Sequence, residues 1–212
     1  MKNYSVIIWD FNGTIIDDVR GALAAVNDML LRRNQNPIDL SDYRDAVDSP
    51  IWKFYEKVFE EGSITPAEAI REFNSGYDIH KDCTWLMNGS EQVLTAFRNR
   101  GKKQIIVSAS HIENVKTQLA ELGVEEYFDA VLALSDFTAG DKTFLAREYL
   151  ESNSISSADA VVIGDSVADF IMAQALGCDC ILNTQGHQSR EAIVKTGVPV
   201  IESLAELISI IE

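Results

Sequence analysis

Cysteine and long apolar runs are both scarce in this sequence of 212 residues, and each shortage excludes a class of protein. The three cysteines, Cys83, Cys178 and Cys180, form neither a disulfide framework nor a zinc-ligand pattern. No apolar stretch approaches the length that spans a bilayer. The first apolar segment begins at Ser5, which leaves no room for a signal peptide. The sequence therefore predicts a cytoplasmic protein with reduced thiols.

Positive charge is also scarce, because 18 lysines and arginines face 33 aspartates and glutamates for a net charge of −15. Nucleic acid and anionic membrane surfaces attract basic proteins, so neither is expected as a partner. Any anionic substrate would need a local positive centre, supplied by a metal ion or a lysine. The sequence leaves the oligomeric state open.

Short apolar segments alternate with helical patterns over most of the chain. Strands are predicted at residues 5–9, 104–108, 130–134, 160–165, 178–182 and 199–201. Helices are expected from residue 88 to residue 100, after the second strand as far as Gly123, from about residue 143 to 152, after the fourth strand as far as Gly177, and at the end of the chain from Ser203. The first is opened by a capping box from Asn88 to Glu91. This alternation predicts an α/β fold with a Rossmann-like, three-layer core: a parallel sheet with helices on both faces.

The segment from residue 16 to residue 85 has a different pattern, because no strand is evident between residues 16 and 100. Thr65 and Glu68 form a capping box at the start of one helix. Aromatic residues at helical spacing between residues 51 and 59 are more typical of a small apolar core than of a cofactor site. We therefore predict a core domain of residues 1–15 and 86–212 and an all-helical cap of residues 16–85.

Polar side chains follow three of the predicted strands at the point where each strand ends. Asp10, Ser108 and Asp165 hold these positions, Asp169 lies one helical turn further on, and Lys142 lies in the loop after the third strand. The carboxyl ends of neighbouring parallel strands meet at one edge of a sheet, where ligands bind. A carboxylate there can attack a phosphoryl group, and a cluster of carboxylates requires a hard cation such as Mg²⁺. A lysine offsets the remaining charge, and a serine holds the phosphate oxygens.

These residues resemble the four ordered motifs of the haloacid dehalogenase superfamily. The motifs are Asp10-Phe-Asn-Gly-Thr14, Ser108, Lys142 and Gly164-Asp-Ser-Val-Ala-Asp169. The resemblance covers nearly the whole chain, and the helical insert after the first motif is similar to the cap of the phosphoglycolate phosphatase-like and β-phosphoglucomutase-like branch. It implies a phosphatase that acts on a small phosphorylated metabolite.

The resemblance also implies a role for each matching residue. Asp10 would be the nucleophile, and Lys142 would pair with it and with the phosphate. The Mg²⁺ ligands would be Asp10, the backbone carbonyl of Asn12, Asp165 and Asp169, the last either a direct ligand or a support.

Four further residues would contact the substrate. Thr14 and Ser108 would bind phosphate oxygens, with Ala109 beside them. Lys53, in the cap, would face the leaving group. Asp17 and Asp18 are expected to be solvated hinge residues, and surface positions are expected for the three histidines, which are His80, His111 and His187.

One residue departs from the family pattern, because phosphatases of this family have an aspartate where this chain has Asn12. That aspartate protonates the leaving alcohol and then activates water, which an amide cannot do, and such a loss costs about 10²–10⁴-fold in rate. Three hypotheses follow. The protein is a slow phosphatase, a phosphonoacetaldehyde hydrolase-like enzyme with a Schiff base on Lys53, or a protein that binds a phosphorylated ligand without catalysis.

Overall fold

The computed structural model describes residues 2–135 and 141–212. The strands in these ranges are β1 (Val6–Trp9), β2 (Ile16–Asp17), β3 (Trp85–Leu86), β4 (Lys103–His111), β5 (Ala130–Leu134), β6 (Ala160–Gly164), β7 (Asp179–Asn183) and β8 (Val200–Ile201). The α-helices are α1 (Val19–Arg32), α2 (Leu40–Ala46), α3 (Trp52–Val58), α4 (Pro66–Ile79), α5 (Ser90–Asn99), α6 (Ile112–Leu122), α7 (Thr143–Ser152), α8 (Val167–Leu176), α9 (Arg190–Val194) and α10 (Leu207–Ile210). Over the same ranges, we find no helix with both the length and the apolar character of a membrane span.

Six strands form a parallel sheet in the order β5-β4-β1-β6-β7-β8, which confirms the predicted α/β fold. The first strand of the chain lies inside the sheet, where Ile8 aligns with Ile105 of β4 and with Val162 of β6. The strand order reverses direction at β1. The loops after β1, β4 and β6 therefore meet at the switch point where such sheets bind ligands.

Both faces of the sheet are buried, and this explains why β1 is apolar without alternation. Val6 and Ile8 pack into a cluster with α7, α8 and α9 on one face. Ile7 and Trp9 pack into a second cluster with α5, α6 and α10 on the other face. Successive side chains of a strand point to opposite faces, so each cluster receives alternate residues of the same strand.

Helices α1–α4 pack around an apolar cluster of their own, as the predicted helical insert requires. Phe54, Tyr55 and Phe59 of the aromatic stripe are buried there, so the stripe belongs to the core of the cap. The capping box of Thr65 and Glu68 is present at the start of α4. The prediction that the stripe contributes to a small apolar core is confirmed for these three side chains.

Two local predictions are wrong. Strands β2 and β3 pair antiparallel at the two ends of the helical insert, although no strand was expected between residues 16 and 100. Each has only two residues, too few to give a periodic signal. The capping box predicted from Asn88 is absent. Helix α5 begins after Gly89, which has a φ of 88°, and the Ser90 hydroxyl instead donates to the carbonyl of Ile15 at 3.0 Å.

Candidate active site

Three aspartates converge at the carboxyl edge of the sheet. Asp10 follows β1, Asp165 follows β6, and Asp169 lies in the first turn of α8. One carboxylate oxygen from each lies within 4.8 Å of the others, and all three side chains are buried. The Asp10 backbone N–H donates to the carbonyl of Ile163 at 2.8 Å, which ties the end of β1 to β6. The sheet itself therefore assembles this acidic cluster.

Lys142 supplies a buried cation to the cluster. Its ammonium group donates to Asp10 and, at 2.8 Å, to Asp169. Burial alone would lower the pKa of Lys142, but the two carboxylates hold it above its usual value. The lysine is therefore charged and lies between the carboxylates of β1 and α8.

One lysine does not balance three buried carboxylates. Burial, with the neighbouring Asp169 and Asp165, raises the pKa of Asp10 to about 8 in spite of Lys142. Burial also raises the pKa of Asp165 to about 6, and Asp169 adds to the effect. The cluster thus lacks positive charge in a site of hard oxygen donors. These donors fit a small divalent cation such as Mg²⁺.

The carboxylates of Asp169 and Asp165 accept different numbers of hydrogen bonds. One oxygen of Asp169 accepts from Lys142, and the other accepts from the backbone N–H groups of Asp165 and Ser166 and from the Ser166 hydroxyl. Asp165 accepts from the His187 backbone N–H at 2.6 Å and from the Thr14 hydroxyl at 3.4 Å. Asp169 therefore has two roles: it fixes the turn after β6, and it holds the ammonium group of Lys142.

The predicted phosphate contacts lie beside the cluster, Thr14 in the turn after β1 and Ser108 with Ala109 on β4, whereas Lys53 lies in the cap. Thr14 is fully buried and touches Asp165, and Ser108 is buried near the end of β4. The Ser108 hydroxyl accepts from the Ser110 backbone N–H at 3.1 Å, and Ala109 lies between them, half-buried. Lys53 is half-buried on α3, and no hydrogen bond or ion pair joins it to the acidic cluster in the described part of the chain.

Asn12 is held by hydrogen bonds at both ends of its side-chain amide. Its Nδ2 donates to Oδ2 of Asp18 at 2.8 Å, and its Oδ1 accepts from the Ser110 hydroxyl at 2.7 Å. The donor end thus faces a carboxylate, and the acceptor end faces a hydroxyl. The residue that departs from the family pattern has surroundings that suit an amide.

Asp18 is not the solvated hinge residue that the sequence suggested, because it is only 1% exposed. Its carboxylate accepts from Asn12, from the Gly13 backbone N–H at 2.9 Å, from the Tyr77 hydroxyl at 2.7 Å and from His187 Nε2 at 3.0 Å. Burial would raise the pKa of Asp18, but His187 and the other donors hold it below its usual value. The carboxylate is therefore ionised and fully hydrogen-bonded.

His187 was also wrongly predicted, because it lies inside the site and not on a surface loop. Its Nε2 contacts Asp18, its Nδ1 contacts the Tyr43 hydroxyl at 2.9 Å, and its side chain is 15% exposed. Burial would lower the pKa of His187, but Asp18 raises it to about 9. Of the other two histidines, His80 pairs with Asp28 at 2.8 Å, and the ring of His111 caps α6.

The loop after β7 places His187 and is the part of the site that sequence reasoning missed. A Cβ on Gly13, whose φ is 71°, would lie 2.5 Å from Asp165 Oδ2 and from His187 Cδ2. A Cβ on Gly186 would also collide with Asp165. A signal was available, since β7 follows β6 in the predicted strand series and its loop would reach the same edge of the sheet.

The same loop is the docking point of the cap. Arg44 of α2 donates to the backbone carbonyls of Gln185 at 2.8 Å and Gly186 at 3.0 Å. Gln188 donates in return to the carbonyl of Val47 at 2.8 Å, and its side-chain oxygen accepts from the Val167 backbone N–H. The cap therefore packs against the loop after β7, which contains His187 and contacts Asp165.

Comparison with known proteins assigns a family to this arrangement. The model described as "Haloacid dehalogenase-like hydrolase" matches residues 7–183, which include all four motifs. The chain is 22% identical to a phosphoglycolate phosphatase of Pseudomonas fluorescens, over 96% of this chain and 78% of that protein.

Solved structures share the fold at low identity. A haloacid dehalogenase-like family hydrolase from Streptococcus pneumoniae is 16% identical and superposes with a TM-score of 0.85, over 99% of both chains. A protein from Clostridium acetobutylicum described as a predicted phosphatase is 23% identical, with a TM-score of 0.82 over 98% of both chains. Since the family model covers most of the chain and all four motifs, this protein belongs to the haloacid dehalogenase-like hydrolase family.

Proposed function

We propose that the protein is a Mg²⁺-dependent phosphatase that hydrolyses the phosphoric monoester of a small metabolite through an aspartyl-phosphate on Asp10. The observation that carries this proposal is the buried cluster of Asp10, Asp165 and Asp169 with Lys142 at the switch point of the sheet. The phosphoglycolate phosphatases among its relatives support a small phosphorylated substrate.

Asp10, Asp165 and the backbone carbonyl of Asn12 would hold Mg²⁺, and Asp169 would support the site by orienting Lys142. Asp169 has this supporting role in the proposal because one of its oxygens accepts from Lys142 and the other accepts from three donors, whereas each oxygen of Asp165 accepts a single hydrogen bond. When bound, Mg²⁺ would offset the charge that Lys142 leaves unbalanced and polarise the phosphate oxygens. We therefore expect the protein to bind Mg²⁺ in the absence of substrate.

The reaction would take place in two steps on Asp10. In the first step, a carboxylate oxygen of Asp10 attacks phosphorus, and the bond to the leaving oxygen breaks. Lys142, Ser108 and Thr14 hold the phosphate oxygens. In the second step, water attacks the phosphorus of the aspartyl-phosphate, the bond between phosphorus and the Asp10 oxygen breaks, and inorganic phosphate leaves with the Asp10 carboxylate restored.

The proton that the leaving alcohol needs cannot come from the Asn12 amide. Esters with poor leaving groups should therefore react slowly, by about 10²–10⁴-fold relative to an enzyme with a general acid. An aryl ester such as p-nitrophenyl phosphate avoids this requirement in the first step, because its phenolate leaves without a proton. The second step still lacks a general base, so the aspartyl-phosphate should accumulate.

Release of p-nitrophenol with Mg²⁺ tests the proposal. We expect measurable turnover that Asp10→Ala abolishes and that Asp179→Ala, at a surface ion pair with Lys2, leaves intact. A panel of phosphoglycolate and sugar phosphates then identifies the substrate class. If neither the aryl ester nor any member of the panel releases phosphate, the proposal fails and the ligand-binding hypothesis is favoured. Inactivation by borohydride with phosphonoacetaldehyde, with the label on Lys53, would favour the Schiff-base hypothesis.

A further inference from the structure

The first motif contains a matched pair of residues, Asn12 and Asp18. The amide of Asn12 offers one donor end and one acceptor end, and its donor end contacts Oδ2 of Asp18 at 2.8 Å. A carboxylate is an acceptor only, so it accommodates an amide nitrogen and opposes another carboxylate. The Ser110 hydroxyl contacts the opposite end at 2.7 Å and can donate there. Each end of the Asn12 side chain thus has a complementary partner.

Asp18 also holds the backbone beside Asn12. Its Oδ1 accepts from the Gly13 N–H at 2.9 Å, and this N–H belongs to the same peptide unit as the Asn12 carbonyl. In a planar trans peptide the N–H and the C=O point in opposite directions. Asp18 therefore turns the Asn12 carbonyl away from itself. A single carboxylate fixes both the side chain of Asn12 and the plane of its peptide.

We propose that Asp18 is a positioning residue that specifies an amide at position 12 and orients the Asn12 carbonyl for the metal. The proposal explains why the departure at Asn12 lies beside a fully buried carboxylate. It also explains the four donors around Asp18, since Tyr77 and His187 hold the carboxylate from the other directions. The part that concerns the metal rests on the proposed function, whereas the amide–carboxylate pairing does not.

The pairing predicts how the two positions respond to exchange. Asn12→Asp places a carboxylate oxygen against Oδ2 of Asp18, so Asp18 loses one donor and two carboxylates face each other. Asp18→Asn presents an NH₂ group either to Asn12 or to Gly13, both of which are donors. In the exchange Asn12→Asp with Asp18→Asn, the amide at position 18 donates to the carboxylate at position 12 and still accepts from Gly13. The exchanged protein has the same net charge and the same number of matched contacts.

A double-mutant cycle in urea, with EDTA present, tests the pairing. We expect each single substitution to raise the unfolding equilibrium constant at least tenfold. The unfolding equilibrium constant of the exchanged protein should be at least tenfold smaller than the product of the two single effects predicts. A tenfold coupling corresponds to about 1.4 kcal/mol, within the range of residues in contact. If Asn12→Asp does not fold while the exchange does, the pairing is supported. If the two effects multiply without coupling, it is overturned.

Mg²⁺ binding by calorimetry tests positioning apart from stability. Asp18→Ala, which removes the acceptor of the Gly13 N–H, should weaken Mg²⁺ binding about 10–100-fold, as the loss of a supporting partner of a metal ligand does. Asp28→Ala is the matched control, because it removes another aspartate that pairs with a histidine and should leave Mg²⁺ affinity unchanged. Unchanged affinity in Asp18→Ala would overturn the positioning role. If the unaltered protein binds no Mg²⁺, the proposed function fails instead, and the coupling measured in EDTA still decides the pairing.

Discussion

Lys142 is the buried cation of the acidic cluster, and its removal should have a large effect on stability. In Lys142→Met the side chain keeps its length and loses its charge, so Asp10 and Asp169 lose their shared donor. The Lys142 side chain is only 11% exposed, and Asp169 is fully buried. Removal of one partner from a buried ion pair costs about 3–5 kcal/mol, because the other charge stays buried without compensation.

The chain contains a matched surface pair for comparison. Lys2 and Asp179 also form an ion pair, but their side chains are 56% and 47% exposed. Exposed pairs contribute about 0–1 kcal/mol, so Lys2→Met should lower the free energy of unfolding by less than about 1 kcal/mol. The difference between the two methionine variants therefore isolates the effect of burial.

Equilibrium unfolding in urea measures both variants, with the fluorescence of fully buried Trp9 among the signals. We expect a loss of about 3–5 kcal/mol for Lys142→Met in EDTA. Excess Mg²⁺ should reduce this loss, because a ligand that binds only the folded state stabilises it. If Lys142→Met costs no more than Lys2→Met, the account of the cluster as a site short of positive charge is refuted.

Two further predictions concern the residues around Gly13. Gly13→Ala should cost about 2 kcal/mol more than Gly62→Ala in urea unfolding, since both have a positive φ but only a Cβ on Gly13 meets other atoms. The pKa of His187 is raised from 6.5 to about 9 in the folded protein. Its contribution to the free energy of unfolding is therefore complete below pH 6.5 and is lost as the pH rises through 9. In EDTA the free energy of unfolding of the wild type should therefore fall by about 3 kcal/mol more across this pH window than that of His187→Gln. If the two proteins lose stability in parallel with rising pH, the raised pKa of His187 is contradicted.

The sheet and its helices were predictable because each is long enough to show a period. The strand at 130–134 and the helix at about 143–152 match the structure to the residue, and the strand predicted at 5–9 corresponds to β1. Asp10, Ser108 and Asp165 were predictable for a topological reason. Residues that end parallel strands must meet at one edge, whatever the details of the loops between them.

Asp18 was not predictable by the same reasoning, because it does not end a strand of the main sheet, and the strand order placed the loop after β7 at the site without singling out His187. Asp18 precedes α1, where an acid ordinarily contacts solvent. It is buried here because Tyr77 of α4 and His187 of the loop after β7 both contact its carboxylate. This burial depends on the packing of the cap against the core. Such contacts join residues that are 59 and 169 positions apart, and no local pattern encodes them.

The covalent step on Asp10 is tested most directly by trapping. The protein is mixed with Mg²⁺ and a phosphate monoester, quenched in acid, and digested for mass spectrometry, with Asp10→Asn as the control. With p-nitrophenyl phosphate as the monoester, we predict one phosphoryl group on the peptide that contains Asp10, accumulating because Asn12 cannot activate water, and none in Asp10→Asn. Release of phosphate without any phosphorylated protein, or a phosphoryl group on another residue, would contradict the assignment of Asp10 as the nucleophile.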